Sequence, residues 1–317
     1  MPYQLDNKLV IGLASSALFD LSESDAVFRT EGEAAYRACQ RRKQSEPLAQ
    51  GVAFPFIRRL LSLNALDPDD PPIEVILLSR NDPDTGLRVM NSIRHHALPM
   101  TRAVFLQGRS PHAYIPALKI SLFLSANGDD VRLATQAGHA AGQVLDTDFN
   151  DDPDDKELRI AFDFDGVVAD DEAETLYQQT RDLSAFHHHE QEQVDIPHAP
   201  GPLAAFIRKL SALQQRELAR AALDPGYTPR LRISIVTARN APSHERVINT
   251  MRAWDITVNE AFFLGGIEKR AVLEVLRPHV YFDDQRLHLD PAASALPSVH
   301  VPFGIANRRG GPPAGSE

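Results

Sequence analysis

Short apolar runs alternate with amphipathic stretches along nearly the whole chain. Val10–Leu13, Val75–Leu78, Ala103–Leu106 and Leu122–Leu124 read as strands, and Gly51–Leu63 and Gly86–His96 as amphipathic helices. A second series follows in the same order. Arg159–Phe162, Arg232–Val236, Ala261–Leu264 and Val280–Phe282 read as strands, with helices at Pro202–Gln214, Ser243–Trp254 and Lys269–Leu276. Strands that are apolar throughout, each followed by a helix, predict parallel sheets covered on both faces.

The two series match residue by residue. Residues 88–126 lie over 246–284 without a gap, and Arg88, Val89, Asn91, Arg94, Ala103, Phe105, Leu106, Gly108, Ala113 and Leu118 each meet an identical residue. GVAFPFIRRLLS (51–62) repeats as GPLAAFIRKLSA (201–212), and LLSRN (77–81) answers VTARN (236–240), which sets Ser79 against Ala238. At the start of each series LVIGLASSALFDL faces LRIAFDFDGVVAD, so that Ala14 meets Asp163 and Ser16 meets Asp165. The period is too long for a solenoid and predicts an α/β protein of two tandem, duplicated, Rossmann-like parallel-sheet domains. Their expected bounds are 1–145 and 158–307, with an acidic linker at 146–157 and a disordered tail at 308–317.

A length of 317 residues suits two domains, and 43% hydrophobic with 24% charged residues is ordinary for a soluble protein. The single cysteine, Cys39, rules out an intramolecular disulfide and points to a reducing, cytoplasmic setting. No basic leader or membrane-length apolar run stands out, so no membrane partner is expected. A net charge of −10 argues against a nucleic-acid polymer as partner. It leaves room for a small phosphorylated substrate, because a bound divalent ion inverts the local field. Oligomeric state is left open.

Chemistry gathers at strand ends of the second series. Strand 159–162 runs into Asp163-Phe164-Asp165-Gly166, strand 232–236 into Thr237, and strand 280–282 into Asp283-Asp284, while Lys269 starts a helix. Ligands of open parallel sheets bind beyond the carboxyl ends of the strands. Four carboxylates gathered there require a cation, and all-oxygen ligands favour Mg2+. In the first series the corresponding positions are Ala14, Ser16, Pro111, Ser125 and Ala126, so that copy reads as non-catalytic. It is left to complete the core, to pack over the active-site mouth or to bind a regulatory nucleotide. Ser79 and the Asn81-Asp82 loop are its candidates for a weak anion site.

DFDGV, the strand-end threonine, the lysine and the DD pair, in that order, resemble the four motifs of the haloacid-dehalogenase-like phosphohydrolases. The resemblance implies that Asp163 is the nucleophile, forming an aspartyl-phosphate, and that Asp165 is the acid and then the base. It implies that Thr237 holds phosphoryl oxygens, that Lys269 neutralises charge, and that Asp163, Asp165, Asp283 and Asp284 serve the Mg2+. It also implies a substrate-selecting cap inserted at about 172–227. Within that superfamily LVIGLASSALFDL, VILLSRNDPDTGLRVMNSIRHH, ARNAPSHERVINTMRAW and RPHVYFDDQ look like the cytosolic type I 5′-nucleotidases. The first motif departs from that pattern, reading DFDGVV where animal members read more like FDGDAV.

The resemblance implies Mg2+-dependent hydrolysis of nucleoside 5′-monophosphates, with a small-molecule nucleotide as partner. The alternatives are a sugar phosphate or another small phosphomonoester as substrate, and a nucleotide sensor without turnover. In the cap, Phe186 is the candidate to stack on a base, with His189 or Glu190 reaching base or ribose. The three adjacent histidines 187–189 point in different directions on a helix and do not make a zinc site. Arg239 is a further candidate for substrate contact, weighed against its retention as Arg80 in the other copy, which suggests loop structure. Asp170, Asp171, Glu172 and Glu174 read as a solvated helix start.

Overall fold

The computed structural model describes residues 3–307, so the tail expected to be disordered lies outside the described residues. The chain divides into two compact units between Val144 and Leu145. In the first unit, β1 (Leu9–Leu13) leads into a single turn, α1 (Ser15–Leu18), then α2 (Ser22–Arg42) and α3 (Phe54–Ser62). β2 (Ile73–Ser79), α4 (Gly86–His95), β3 (Arg102–Phe105), β4 (Leu122–Ser125), α5 (Gly128–Gln136) and β5 (Ala141–Val144) complete it. Its strands pair in parallel in the order β3-β2-β1-β4-β5. All of β1 and β2 is buried, as a sheet covered on both faces requires.

The second unit follows the same order. β6 (Leu158–Phe162) ends in a tight turn at 164–168, followed by α6 (Glu172–Thr180), α7 (Leu183–Glu192) and α8 (Ala204–Leu223). Then come β7 (Leu231–Thr237), α9 (His244–Ala253), β8 (Glu260–Phe263), α10 (Lys269–Leu276), β9 (Val280–Asp283), α11 (Arg286–Ala293) and β10 (Ser298–His300). The parallel order is β8-β7-β6-β9-β10. The α/β class with parallel sheets therefore stands. Helix α8 runs nine residues past its expected end at Gln214, because Arg216–Leu223 is built of strong helix formers. Helices α2, α5 and α11 and strands β5 and β10 had no expected counterpart, whereas α6 begins at the expected helix start and α7 carries the three histidines on a helix. Among the described residues no helix is long and apolar enough to cross a membrane.

Equivalent backbone hydrogen bonds recur within each unit and correct one expected pairing. Leu106 N–H donates to the Ser79 carbonyl and Leu264 N–H to the Thr237 carbonyl, an offset of 158 at both ends. Ser79 pairs with Phe105 across the sheet as Thr237 pairs with Phe263. Thr237 thus corresponds to Ser79, and Arg239 to Asn81 rather than to Arg80. The shared Arg-Asn dipeptide had suggested a register one residue off.

A second irregularity lies at the end of the first strand. Ala14 N–H bonds the Leu124 carbonyl as Asp163 N–H bonds that of Phe282, whereas Ala53 N–H bonds Ala17 as Leu203 N–H bonds Val167. The offset rises from 149 (163 − 14) to 150 (167 − 17), so the second unit holds one more residue in this turn.

Candidate active site

Strand β6 delivers Asp163 to the carboxyl edge of the sheet, where its Oδ1 accepts the Phe164 N–H at 2.7 Å. The chain then reverses through Gly166 at φ +72°. Glycine is required there twice over. L-residues resist a left-handed backbone, and a Cβ would sit 2.6 Å from Asp284 Oδ2. The turn holds Asp163 and Asp165 at the same strand end as Asp283 and Asp284.

Lys269, the first residue of α10, is buried and bridges two carboxylates, with Nζ 2.8 Å from Asp163 Oδ2 and 2.8 Å from Asp283 Oδ2. Asp283 also accepts the Tyr281 hydroxyl and, at 3.2 Å, stands against His288 Nδ1, while its Oδ1 accepts the Gln285 N–H at 2.8 Å. Burial alone would raise its carboxyl, but Lys269 and His288 outweigh burial and hold it well below the usual range. Asp163, Asp283 and His288 offer ligand atoms within 4.8 Å of one another. Thr237 is buried at the end of β7, its Oγ1 accepting the Arg239 N–H at 3.2 Å.

The acids outnumber the cations. Asp163, Asp165, Asp283 and Asp284 face Lys269 and Arg239, an excess of two negative charges when all four acids are ionised. Burial, then the Lys269 attraction set against Asp283 and Asp165, leaves the Asp163 carboxyl raised to about 7. Burial and the neighbouring Asp163 and Asp283 raise Asp284 to about 9. Asp284 Oδ1 is buried without a hydrogen-bond partner. An orphaned carboxylate oxygen and an excess of two charges fit a hard divalent ion.

Arg239 forms the floor beside this cluster. Its Nε and one terminal nitrogen each bond Asp165 at 2.7 Å, Nε to Oδ2 and Nη2 to Oδ1, a bidentate pair. The guanidinium lies over the Phe164 and Phe186 rings at 5.4 and 5.3 Å. Its remaining nitrogen, Nη1, meets Glu190, which is buried and also takes Arg246 at 2.8 Å, with His198 Nε2 3.2 Å away. Burial pushes the Glu190 carboxyl up, yet His198 and Arg239 together hold it down at about 2.

A cavity of about 270 Å³ opens beside Asp165, lined by Tyr177, Leu183, Phe186, Arg239, Asn240 and Gly266 among others. Asp163, Lys269 and Asp283 are therefore in direct contact, Asp165 and Asp284 adjoin them, and Phe186 and Arg239 line the adjacent cavity. Glu190 does not line it and sits beneath Arg239. His189 stands 3.6 Å from Glu172, outside the cavity lining. Asp182 caps α7 by accepting the Ser184 and Ala185 N–H groups, which aims Phe186 inward. Tyr281, His288, Arg246 and His198 had not been singled out. Tyr281 carried a usable signal, because it precedes Asp283 by two in a strand and so shares its face.

A family model described as 5′-nucleotidase matches residues 1–308. Human cytosolic 5′-nucleotidase 1B is 32% identical over 297 residues, covering 92% of this chain and 48% of that protein. The chain thus spans about half the length of this curated relative. Among solved structures, histidinol dehydrogenase from Elizabethkingia anophelis aligns over 77% of this chain and 49% of that chain at 10% identity and a TM-score of 0.22. That likeness is too slight to bear on fold or function. By class, the match over 1–308 places the chain in a family of phosphoric monoester hydrolases. It belongs to the 5′-nucleotidase family.

Proposed function

We propose that this chain hydrolyses nucleoside 5′-monophosphates to nucleoside and phosphate through an aspartyl-phosphate on Asp163. The second unit is the catalytic domain, capped by about 172–227, and the first is a non-catalytic copy. The reading rests on one observation above all: Asp163, Lys269 and Asp283 meet at parallel strand ends beside a cavity walled by Tyr177 and Phe186. Asp163, the Asp165 carbonyl, Asp283 and Asp284 would hold Mg2+, which supplies charge neutralisation for the transferring phosphoryl group.

A carboxylate oxygen of Asp163 forms the new bond to phosphorus as the bond to the nucleoside 5′-oxygen breaks. Asp165 gives its proton to that leaving oxygen. It then takes a proton from the water that attacks phosphorus, and Asp163 is released with inorganic phosphate. Lys269 and the Thr237 hydroxyl offset charge on the phosphoryl oxygens. Arg239 engages both oxygens of Asp165 in the resting site, so proton delivery requires one of those bonds to open. Phe186 and Tyr177 offer ring faces to the base.

Phosphate release from a panel of nucleoside monophosphates and sugar phosphates, with and without Mg2+, tests the reading in wild type and Asp163→Asn. Mg2+-dependent release from nucleotides, abolished in the variant, is expected. Release confined to sugar phosphates would sink the substrate assignment and leave the mechanism standing. Nucleotide binding without any release would replace the enzyme by a sensor.

A further inference from the structure

The first unit has a cavity of about 420 Å³ at the positions that wall the catalytic cavity of the second. Equivalence follows from side-chain hydrogen bonds that recur in both. Leu48 N–H donates to Ser92 Oγ at 2.9 Å and His198 N–H to Thr250 Oγ1 at 3.1 Å. Arg88 and Arg246 donate from Nε to the carbonyls of Glu46 and Ile196, and Asn91 and Asn249 to those of Gln44 and Val194. Nη1 of Arg88 and of Arg246 likewise meet Gln40 at 3.2 Å and Glu190 at 2.8 Å, so the offset of 150 reaches from the loop into the last turns of α2 and places Tyr36 at the position of Phe186.

The aromatic wall is retained in kind. Phe28 meets Tyr36 edge to face at 5.7 Å and 89°, and Tyr177 meets Phe186 at 6.3 Å and 77°. Opposite it, Gln107-Gly108 takes left-handed backbone at φ +46° and +84°, matching Gly265-Gly266 at +56° and +89°. The catalytic unit fills the first of these positions with glycine, and the first unit holds a glutamine there against its backbone preference. Five other described non-glycine residues take this region, and what singles out Gln107 is its place in the cavity lining. Gln107 and Asn81 both line the cavity and bring amide groups suited to a base edge or a ribose diol, while Asp82 is held by the Asp84 and Thr85 N–H groups and by Arg37.

Nothing in that lining handles phosphate. The cations among the described residues of the lining are already engaged, Arg37 by Glu33 and Asp82 at 2.9 and 3.2 Å, and Arg80 by both oxygens of Asp130 at 2.8 and 2.7 Å. Asp25 adds further negative charge. The earlier expectation of a weak anion site at the Asn81-Asp82 loop does not fit this balance.

We infer that the first unit binds an uncharged nucleoside in the cavity between Tyr36 and Gln107, without turning it over. The inference rests on reading the Phe186 cavity of the second unit as the nucleoside pocket of the proposed reaction. Ring stacking on Tyr36 and Phe28 supplies affinity, and the Gln107 and Asn81 amides supply orientation.

Calorimetric titration of the full chain with adenosine, inosine, cytidine and uridine tests it, in wild type, Tyr36→Ala, Gln107→Gly and Phe186→Ala. Two nucleoside sites are expected in wild type. Tyr36→Ala and Gln107→Gly each weaken the same one at least tenfold, and Phe186→Ala weakens the other. Gln107→Gly relieves backbone strain, so its effect cannot be laid to misfolding. Inorganic phosphate at millimolar concentration leaves the Tyr36-dependent site untouched. A single site, removed by Phe186→Ala and indifferent to both first-unit variants, overturns the inference, as does the absence of any nucleoside binding. Loss at Tyr36 with no effect of Phe186→Ala on binding or turnover would instead sink the pocket assignment in the second unit.

Discussion

Gly166→Ala is a small change with a calculable effect. The new methyl would lie 2.6 Å from Asp284 Oδ2 and 2.7 Å from its Cγ, where ordinary contact begins near 3.4 Å, so the carboxylate must retreat by about 0.8 Å (3.4 − 2.6). A left-handed backbone at φ +72° costs an alanine about 1–2 kcal/mol, and overpacking a tight site costs about 1–3 kcal/mol more. The sum, roughly 2–5 kcal/mol, lowers Tm on the order of 10 °C for a domain of this size. Displacing a group beside the reacting centre by nearly 1 Å lowers kcat on the order of a hundredfold. Thermal unfolding and Mg2+-dependent phosphate release would both be followed in Gly166→Ala, Asp284→Ala and the double variant. Asp284→Ala removes the clashing atoms, so the double variant should recover the packing part of the loss, a coupling of about 1–3 kcal/mol. Strict additivity of the two changes, or a Gly166→Ala protein as stable and active as wild type, would refute the steric argument.

Three further outcomes are expected. Asp163 at about 7 and Asp284 at about 9 hold protons that the unfolded chain, with an ordinary carboxyl value of 3.8, has already given up. Metal-free stability should therefore decline as pH rises from about 4 towards 9, and Mg2+ should restore it while expelling more than one proton at pH 7. Titrations in buffers of different ionisation enthalpy count those protons, and none released would contradict the charge excess. Glu190, held at about 2, contributes stability above its unfolded value of 4.5 that fades as pH falls through 2. Glu190→Gln should cost roughly 3–5 kcal/mol by leaving Arg239 and Arg246 short of a counter-charge, and should lower kcat more than it raises KM; unchanged denaturation midpoints would argue otherwise. Tyr281→Phe removes a buried donor to Asp283 and should cost about 1.5–3 kcal/mol, with weaker Mg2+ binding; equal metal affinity would show the hydroxyl to be idle.

Strand ends were legible because apolar runs of a parallel sheet stop abruptly, and the residues that follow must lie at one edge. That is why Asp163, Thr237, Lys269 and Asp283 could be named together before any geometry was known. The helical insertion was harder. Phe186 and Glu190 are four apart and so share a helix face, but spacing does not tell which end of that face meets the cavity and which meets Arg246. Glu190 therefore passed for a substrate contact when its neighbours are two arginines and a histidine. Arg239 was misjudged for a different reason. A repeated Arg-Asn dipeptide pulled the alignment one residue out, and only the ladder of Ser79 against Phe105 and Thr237 against Phe263 restores it. With the register corrected, Arg239 has no arginine counterpart in the first unit. Its bidentate grip on Asp165 belongs to the second unit alone.

The extra residue in the 163–167 turn bears on what can happen to the first unit over generations. Side chains change one exchange at a time, and Ala14, Ser16, Ser125 and Ala126 could each become aspartate in that way. A shortened turn cannot. With α1 closing directly after Ala14, two restored aspartates would lack the reversal that Gly166 provides. A centre like that of the second unit would need an insertion in register together with at least five substitutions, counting Pro111. On the proposed reading, point substitution alone gives that half no second hydrolytic centre, and its cavity is left to binding.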